Sequence, residues 1–408
     1  MTGNVAFMFL CTIMVLFMTP GLAFFYGGMV RRKNSLNTMI SVISMMGIGM
    51  LLWVAFGYSL TFGKDHFGII GDFSHIFFKG VSFESDNDSV PDIVTAIFNM
   101  MFAVISPAII YGSLAERMKF SKMIIFDIVW SFLVYYPLAH MAWGGGIFEM
   151  MHSIECAGGN VIHISTGVSG LVACIILGKR RGYGAMSYHP HNIPLFMIGA
   201  TILWVGWFGF NCGCAGAADK IAFVAFVNTA ISSAASMIVW MLIEYFLLGK
   251  CTAMGTITGG IVGLVGITPG AGYVPIWTSF IIGITSAPVC YFMISKIKAK
   301  LGYDDALDAF GCHGVGGIWG GIMTGIFSTS AVNPAVPNEG LVFGDYHLFV
   351  SQISATVLSI AIAVVMTFII MMILKLAGGI RVKSIEESEG LDSAEHGERA
   401  YPAFDGLD

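Results

Sequence analysis

Two histidines stand at the heads of similar stretches, "HISTGVSG" beginning at His163 and "HGVGGIWG" beginning at His313, which share the spacing HxxxGxxG. An acid precedes each ring by eight residues: Glu155 before His163 and Asp305 before His313. Both rings fall inside long apolar segments. An unpaired imidazole in hydrocarbon is costly, so each ring needs a partner or a cavity. The bland reading of either one is a ring that donates to a backbone carbonyl in a packed core. The sharper reading pairs them, because two neutral imidazoles can share an N–H···N bond. That bond fixes both tautomers and leaves one nitrogen of each ring free to meet a solute.

The elements that must position these rings follow from composition. With 56% hydrophobic, 13% aromatic and 11% charged residues in a chain of 408, the surface cannot be covered by polar groups, and the expected class is an all-α polytopic membrane protein. Apolar stretches of the length a spanning helix needs run over about 5–29, 38–62, 92–114, 123–143, 160–178, 194–212, 221–248, 255–268, 275–295, 306–328 and 347–377, eleven in all. The basic residues sort by side. One set of loops carries Arg31, Arg32, Lys33, Arg117, Lys119, Lys122, Lys179, Arg180, Arg181, Lys250, Lys296, Lys298, Lys300, Lys375, Arg381, Lys383 and Arg399, which leaves Lys64, Lys79 and Lys220 for the other face. This bias predicts an amino terminus outside and a carboxyl terminus in the cytoplasm, which requires an odd number of spans. The start "MTGNVAFMFLC" lacks a basic n-region and a cleavage site, so the first helix is expected to be retained.

His163 lies in the fifth stretch and His313 in the tenth. Spans one to five and six to ten therefore read as two five-helix repeats, inverted because each has an odd number of helices, with an eleventh helix added. An inverted repeat of this kind puts a transport site near the midplane between the copies. The 51 glycines are spread through the spans in runs such as "GGIVGLVG", where they let helix backbones approach closely. The eight cysteines show no CxxC pairs and read as packing residues, with no disulfide framework and no metal site. Phosphate-loop, HExxH and GxSxG signatures are absent, so no enzyme chemistry and no cofactor is expected.

The stretches "PGLAFFYGGMVRRKN", "GSLAERMKF", "AHMAWGGG", "AGGNVIHI", "GWFGFNCGCAG", "AFVNT", "DAFGCHGVGGIWGGIMTGIF" and "EGLDSAEHGERAY" together resemble the ammonium transporter (Amt/MEP/Rh) family, on its bacterial and archaeal Amt branch. The resemblance implies a homotrimer in the cell membrane with one narrow pore per subunit. It makes His163 and His313 the pore pair, Phe102 and Phe210 a phenylalanine gate, and Trp143 with Phe102 and Cys214 the ammonium recruitment site. Two positions depart from the family pattern. Glu155 replaces the usual aspartate and is assigned a structural and electrostatic role at the head of the fifth helix. Cys214 stands where many bacterial members have serine, and a thiol accepts a hydrogen bond more weakly than a hydroxyl.

The implied mechanism follows from what distinguishes ammonium from potassium. The two are similar in size, but ammonium donates hydrogen bonds and can lose a proton. An apolar lumen costs an unpaired ion on the order of tens of kcal/mol by continuum estimates, and a neutral polar molecule only a few. Ammonium is therefore expected to be recruited outside and to cross as ammonia, with methylammonium as an analogue. After Gly379 the chain turns acidic and polar, so residues 1–380 read as the membrane domain and 381–408 as a cytoplasmic tail. The resemblance implies that this tail is ordered over about 381–401, packs under a neighbouring subunit and helps dock a PII regulatory protein. No nucleic-acid partner is expected. The competing function class is an ammonium sensor, in which a similar membrane domain binds the ion with little or no transport.

Overall fold

The computed structural model describes residues 2–84 and 90–401. Among these the secondary structure is helical, with isolated bridges at His66 with Ile70 and Met118 with Arg381 and no β-strand. Ten helices are long and apolar enough to cross a bilayer: α1 (Gly3–Met29), α2 (Arg32–Phe62), α3 (Asp92–Leu114), α4 (Phe120–Met150), α5 (Gly159–Leu177), α6 (Ile193–Ala215), α7 (Lys220–Leu248), α8 (Ala253–Gly270), α9 (Ile276–Leu301) and, last in the chain, α11 (His347–Leu376). Between the last two lies α10, a π turn at Phe310–Gly314 continued by Val315–Phe327. It occupies the stretch expected as the tenth span and is not among the ten. Its Gly316, Gly317, Gly320, Gly321 and Gly325 are buried, in keeping with a place inside the bundle.

The first helices of the two expected halves, α1 and α6, make the most extensive contact in the molecule, and the last helices, α5 and α10, cross each other. Helix α11 lies across α5, α10 and α4. Both closest approaches are made by glycine. A Cβ on Gly199 of α6 would lie 2.2 Å from the Phe25 nitrogen of α1. At the other crossing, a Cβ on Gly167 would lie 2.1 Å from the Gly314 nitrogen, and one on Gly317 would lie 3.0 Å from His163 Cβ. Gly167 and Gly317 hold the same place in the two HxxxGxxG motifs, so each histidine is faced by the other motif's glycine. Lipid tails give helices little hydrophobic reason to associate, so the stability of such crossings comes from close contact and interhelical hydrogen bonds. One such knot is Ser169 Oγ, which accepts from Trp130 Nε1 of α4 at 2.9 Å and from Thr367 Oγ1 of α11 at 2.8 Å.

A buried charge network closes the end of the bundle that carries most basic residues. Glu116 receives the Arg31 backbone N–H at 2.8 Å and pairs with the Arg31 and Arg180 guanidiniums at 2.9 and 3.2 Å, and Arg180 also pairs with Asp304 at 2.8 Å. Each carboxylate thus faces an arginine, the condition under which buried charge is tolerated. The tail docks against this end through two short helices, α12 (Ser384–Glu389) and α13 (Leu391–His396). Asp392 accepts from the backbone N–H groups of Leu36 and Asn37 at 3.1 and 2.8 Å, and Glu395 from that of Phe120 at 3.0 Å. Two tail carboxylates therefore satisfy the otherwise unpaired amides at the starts of α2 and α4. Glu387 accepts from Arg381 Nη2 at 2.7 Å and from the Arg181 backbone N–H at 2.6 Å. These are contacts of the tail with its own chain, and the last residues of the expected tail, 402–408, lie outside the described residues.

Gly167→Ala should destabilise the fold by at least the ~3 kcal/mol upper end of ordinary overpacking, because the new methyl meets backbone that cannot rotate away. Gly47→Ala, on an exposed helix face where a Cβ meets no atom within 4 Å, should leave the melting temperature unchanged or raised in the same detergent. Asp392→Ala removes two amide caps and should cost about 0.5–2 kcal/mol, read as faster amide exchange across residues 384–396 and at the start of α2.

Candidate functional site

Each histidine sits in a π turn at the head of its helix, His163 within Gly159–Ile164 and His313 within Phe310–Gly314. A π turn widens the helix locally and presents side chains and backbone groups that a regular α-helix would not, which is why such turns concentrate at functional sites. The two preceding acids do the same job at both places. Glu155 Oε1 accepts from the Asn160 backbone N–H at 2.7 Å, and Asp305 Oδ2 from the Phe310 backbone N–H at 2.8 Å, in both cases five residues ahead. Asp305 is further held by Ser113 Oγ at 2.7 Å. The repeat first visible in HxxxGxxG therefore extends to a carboxylate cap, a π turn, a histidine and a facing glycine.

The crossing brings His163 Nδ1 to 3.1 Å from His313 Nδ1, with ring centroids 5.2 Å apart and planes inclined by 29°. Both rings are buried. His163 Nε2 has no hydrogen-bond partner among the described residues. With Nδ1 committed to the other histidine, that nitrogen is left for a small solute, as an inter-ring N–H···N bond requires. The Trp207 ring lies nearly parallel to His163, with centroids 5.4 Å apart and an interplanar angle of 20°, and its indole N–H is held by Thr268 Oγ1 at 2.9 Å. Sequence reasoning did not single out Trp207. Its signal was present in "GWFGF", three positions before Phe210.

Three cavities line up with the pair. On the side away from the tail lies an open vestibule of about 180 Å³, bordered by Phe102, Trp143, Asn99, Cys156 and Cys214. Beyond it is an enclosed pocket of about 20 Å³, lined by Phe210, Trp207, His163 and His313. On the far side of His313 a pocket of about 30 Å³ continues past Tyr26, Thr258 and Asp308. The inner two are close to the smallest space that admits one water-sized molecule. The Phe102 and Phe210 rings stand between vestibule and lumen with centroids 4.4 Å apart, 2% and 1% exposed, so the passage is shut at this point. Trp143 is 6.1 Å from the Phe102 ring, and its indole N–H donates to the Glu155 carbonyl at 3.4 Å.

Of the seven expected site residues, six are arranged along this path: Trp143, Phe102, Cys214, Phe210, His163 and His313. Glu155 stands behind it, at the head of α5. Burial pushes its carboxyl up to about 7, and one of its oxygens lacks a hydrogen-bond partner. The expectation about cysteines needs correction. Cys156 and Cys214 form a disulfide, with Cα atoms 5.4 Å apart, well inside the range a bridge spans. Their separation of 58 residues has no short motif to betray it, and only the fold brings the two ends together. The remaining cysteines are free, and among the described residues no cluster suited to a metal ion is found.

The model of the Ammonium Transporter Family matches residues 6–401. The chain is 46% identical over 401 residues to the ammonium transporter of Bacillus subtilis, covering 98% of each, and 42% identical to ammonium transporter Amt1 of Archaeoglobus fulgidus, covering 98% of this chain and 99% of that one. Its fold superposes on the crystal structure of Saccharomyces cerevisiae Mep2 with a TM-score of 0.88 at 32% identity, over 94% of this chain and 88% of that one. A structure described as a sensor Amt protein gives the same TM-score at 24% identity, a likeness of fold alone. The chain, a multi-pass membrane protein with a histidine pair facing two water-sized cavities, belongs to the ammonium transporter family.

Proposed function

We propose that the protein is an ammonium transporter that binds ammonium in the aromatic vestibule, deprotonates it at the Phe102 and Phe210 gate and passes ammonia along His163 and His313. The observation that carries this reading is the histidine pair at 3.1 Å, facing cavities of about 20 and 30 Å³ that accept one small neutral molecule at a time. Trp143 and Phe102 attract a cation through their ring faces, worth about 0.5–2 kcal/mol per contact. That attraction serves potassium equally. Selectivity arises at the next step, where the apolar lumen offers an ion no hydration and only ammonium can shed a proton and continue as a neutral species. His163 Nε2 orients the ammonia, and the shared Nδ1 hydrogen bond gives a path along which a proton can follow.

In this reading α10 also spans the membrane, as the tenth of eleven spans, the amino terminus lies outside and the docked tail faces the cytoplasm. The basic residues gathered at the tail end support that orientation. The protein works as a homotrimer in the cytoplasmic membrane, and the tail surface, including α12 and α13, is available to a PII-type regulator.

Proteoliposomes given an ammonium pulse should show a saturable transient current that a potassium pulse does not evoke. His163→Ala should reduce or abolish that current while leaving the melting temperature within a few degrees. Absence of current from folded wild-type protein, with ammonium binding intact, would replace transport by sensing. Glu155 gives a second readout. Because its carboxyl is pushed up to about 7, the anion that holds the head of α5 is lost as pH falls through neutrality. The half-saturating ammonium concentration should therefore rise between about pH 8 and pH 6, and E155Q should show the low-pH value at both. A pH dependence that survives in E155Q would remove Glu155 from this role.

A further inference from the structure

The cystine lies in the wall of the vestibule, where a free cysteine had been expected to contact ammonium directly. It joins two segments that carry different parts of the path. Cys214 belongs to the final turn of α6, one helical turn after the gate residue Phe210. Cys156 follows Glu155, whose carbonyl receives the Trp143 indole N–H and whose carboxylate caps α5. The Cys156 backbone N–H donates to the Pro269 carbonyl at 3.0 Å, which anchors this side to the end of α8. A Cβ on Gly272 would come within 3.4 Å of Cys156 Sγ and 3.8 Å of Cys214 Sγ, so the bridge is packed against a third segment. Cys156 is 6% exposed and Cys214 more open to the vestibule.

We infer that the Cys156–Cys214 bridge is a redox-labile positioning element of the recruitment site, one that small dithiols open from the vestibule and whose opening weakens ammonium recruitment without altering the pore. The inference rests on the reading of the vestibule as the recruitment site. A bridged Cys214 has no S–H to donate, and its sulfur is a poor acceptor for ammonium. Its contribution is mechanical: the bond ties residue 155, and through it Trp143, to the helix end that carries Phe210. The face is suitable for such a bond, since it lies opposite the tail and disulfides persist outside the reducing cytosol. In the opening step a thiolate of the dithiol attacks Cys214 Sγ, the sulfur–sulfur bond breaks and Cys156 leaves as a thiolate that takes a proton. The second thiol of the reagent then attacks its own mixed-disulfide sulfur and releases Cys214, which takes the second proton. The reagent leaves as a cyclic disulfide, oxidised by two electrons, and the cystine is reduced by two.

The full chain in liposomes tests this with dithiothreitol as the probe. Maleimide labelling of the unfolded protein should gain two thiols after reduction, both absent in Cys156→Ser/Cys214→Ser. Reduction of the wild type should raise the half-saturating ammonium concentration about 2- to 10-fold, the equivalent of one lost hydrogen bond, with maximal flux unchanged. Reoxidation should restore it. The double variant should show the raised value throughout and ignore the reagent. A gain of no thiols, an unchanged half-saturation, or an equal fall of maximal flux and thermal stability would each overturn the inference. If the wild type passes no ammonium in either state, the transport reading is what fails. Calorimetric titration of ammonium into oxidised and reduced protein then decides the bridge, with equal affinities counting against it.

Discussion

A pair of imidazoles at hydrogen-bonding distance inside a membrane bundle is the constraint around which the rest is built. Each ring is a polar group in a place without water, and the pair is tolerable only because each satisfies one nitrogen of the other. The rings come from segments 150 residues apart. Their helices must cross with backbones nearly touching, and Gly167 against Gly314 and Gly317 against His163 make that possible. A side chain of any size at Gly167 would separate the rings and leave two unpaired polar groups in the core. Glycine here is required by distance, since the crossing needs no unusual backbone angle.

The same economy governs the helix heads. Opening a helix with a π turn frees backbone groups that must find partners, and the acid eight residues before each histidine supplies one. Asp305 is held in addition by Ser113, whereas Glu155 keeps one oxygen without a partner. The longer side chain thus gives the same cap with a less complete environment. Burial pushes the Glu155 carboxyl up to about 7.

The two ends of the bundle are stabilised by opposite means. Toward the tail, Glu116 and Asp304 are matched by arginines, and tail carboxylates cap transmembrane helices, so charge is abundant and paired. The vestibule at the other end is lined by uncharged residues, with aromatic rings and a covalent bridge in its wall. The Phe102 and Phe210 rings stand at the boundary between this vestibule and the smaller cavities beyond it.

The class of the protein, its helical spans and the recurrence of the HxxxGxxG spacing were legible because they are written in local composition and spacing. Hydrophobic length reports a span, and the HxxxGxxG motif reports a repeat, whatever the helices pack against. The histidine pair was nearly legible, since the two rings hold matched positions in two similar motifs. Trp207 and the Cys156–Cys214 bridge were not. A ring stacked on His163 reads in sequence as one aromatic among 32 phenylalanines and 8 tryptophans, and two cysteines 58 residues apart carry no spacing signal. The cavity dimensions and the contact between the Phe102 and Phe210 rings also belonged to the tertiary structure, because they depend on how helix axes cross, and a crossing is a relation between segments that neither segment encodes alone.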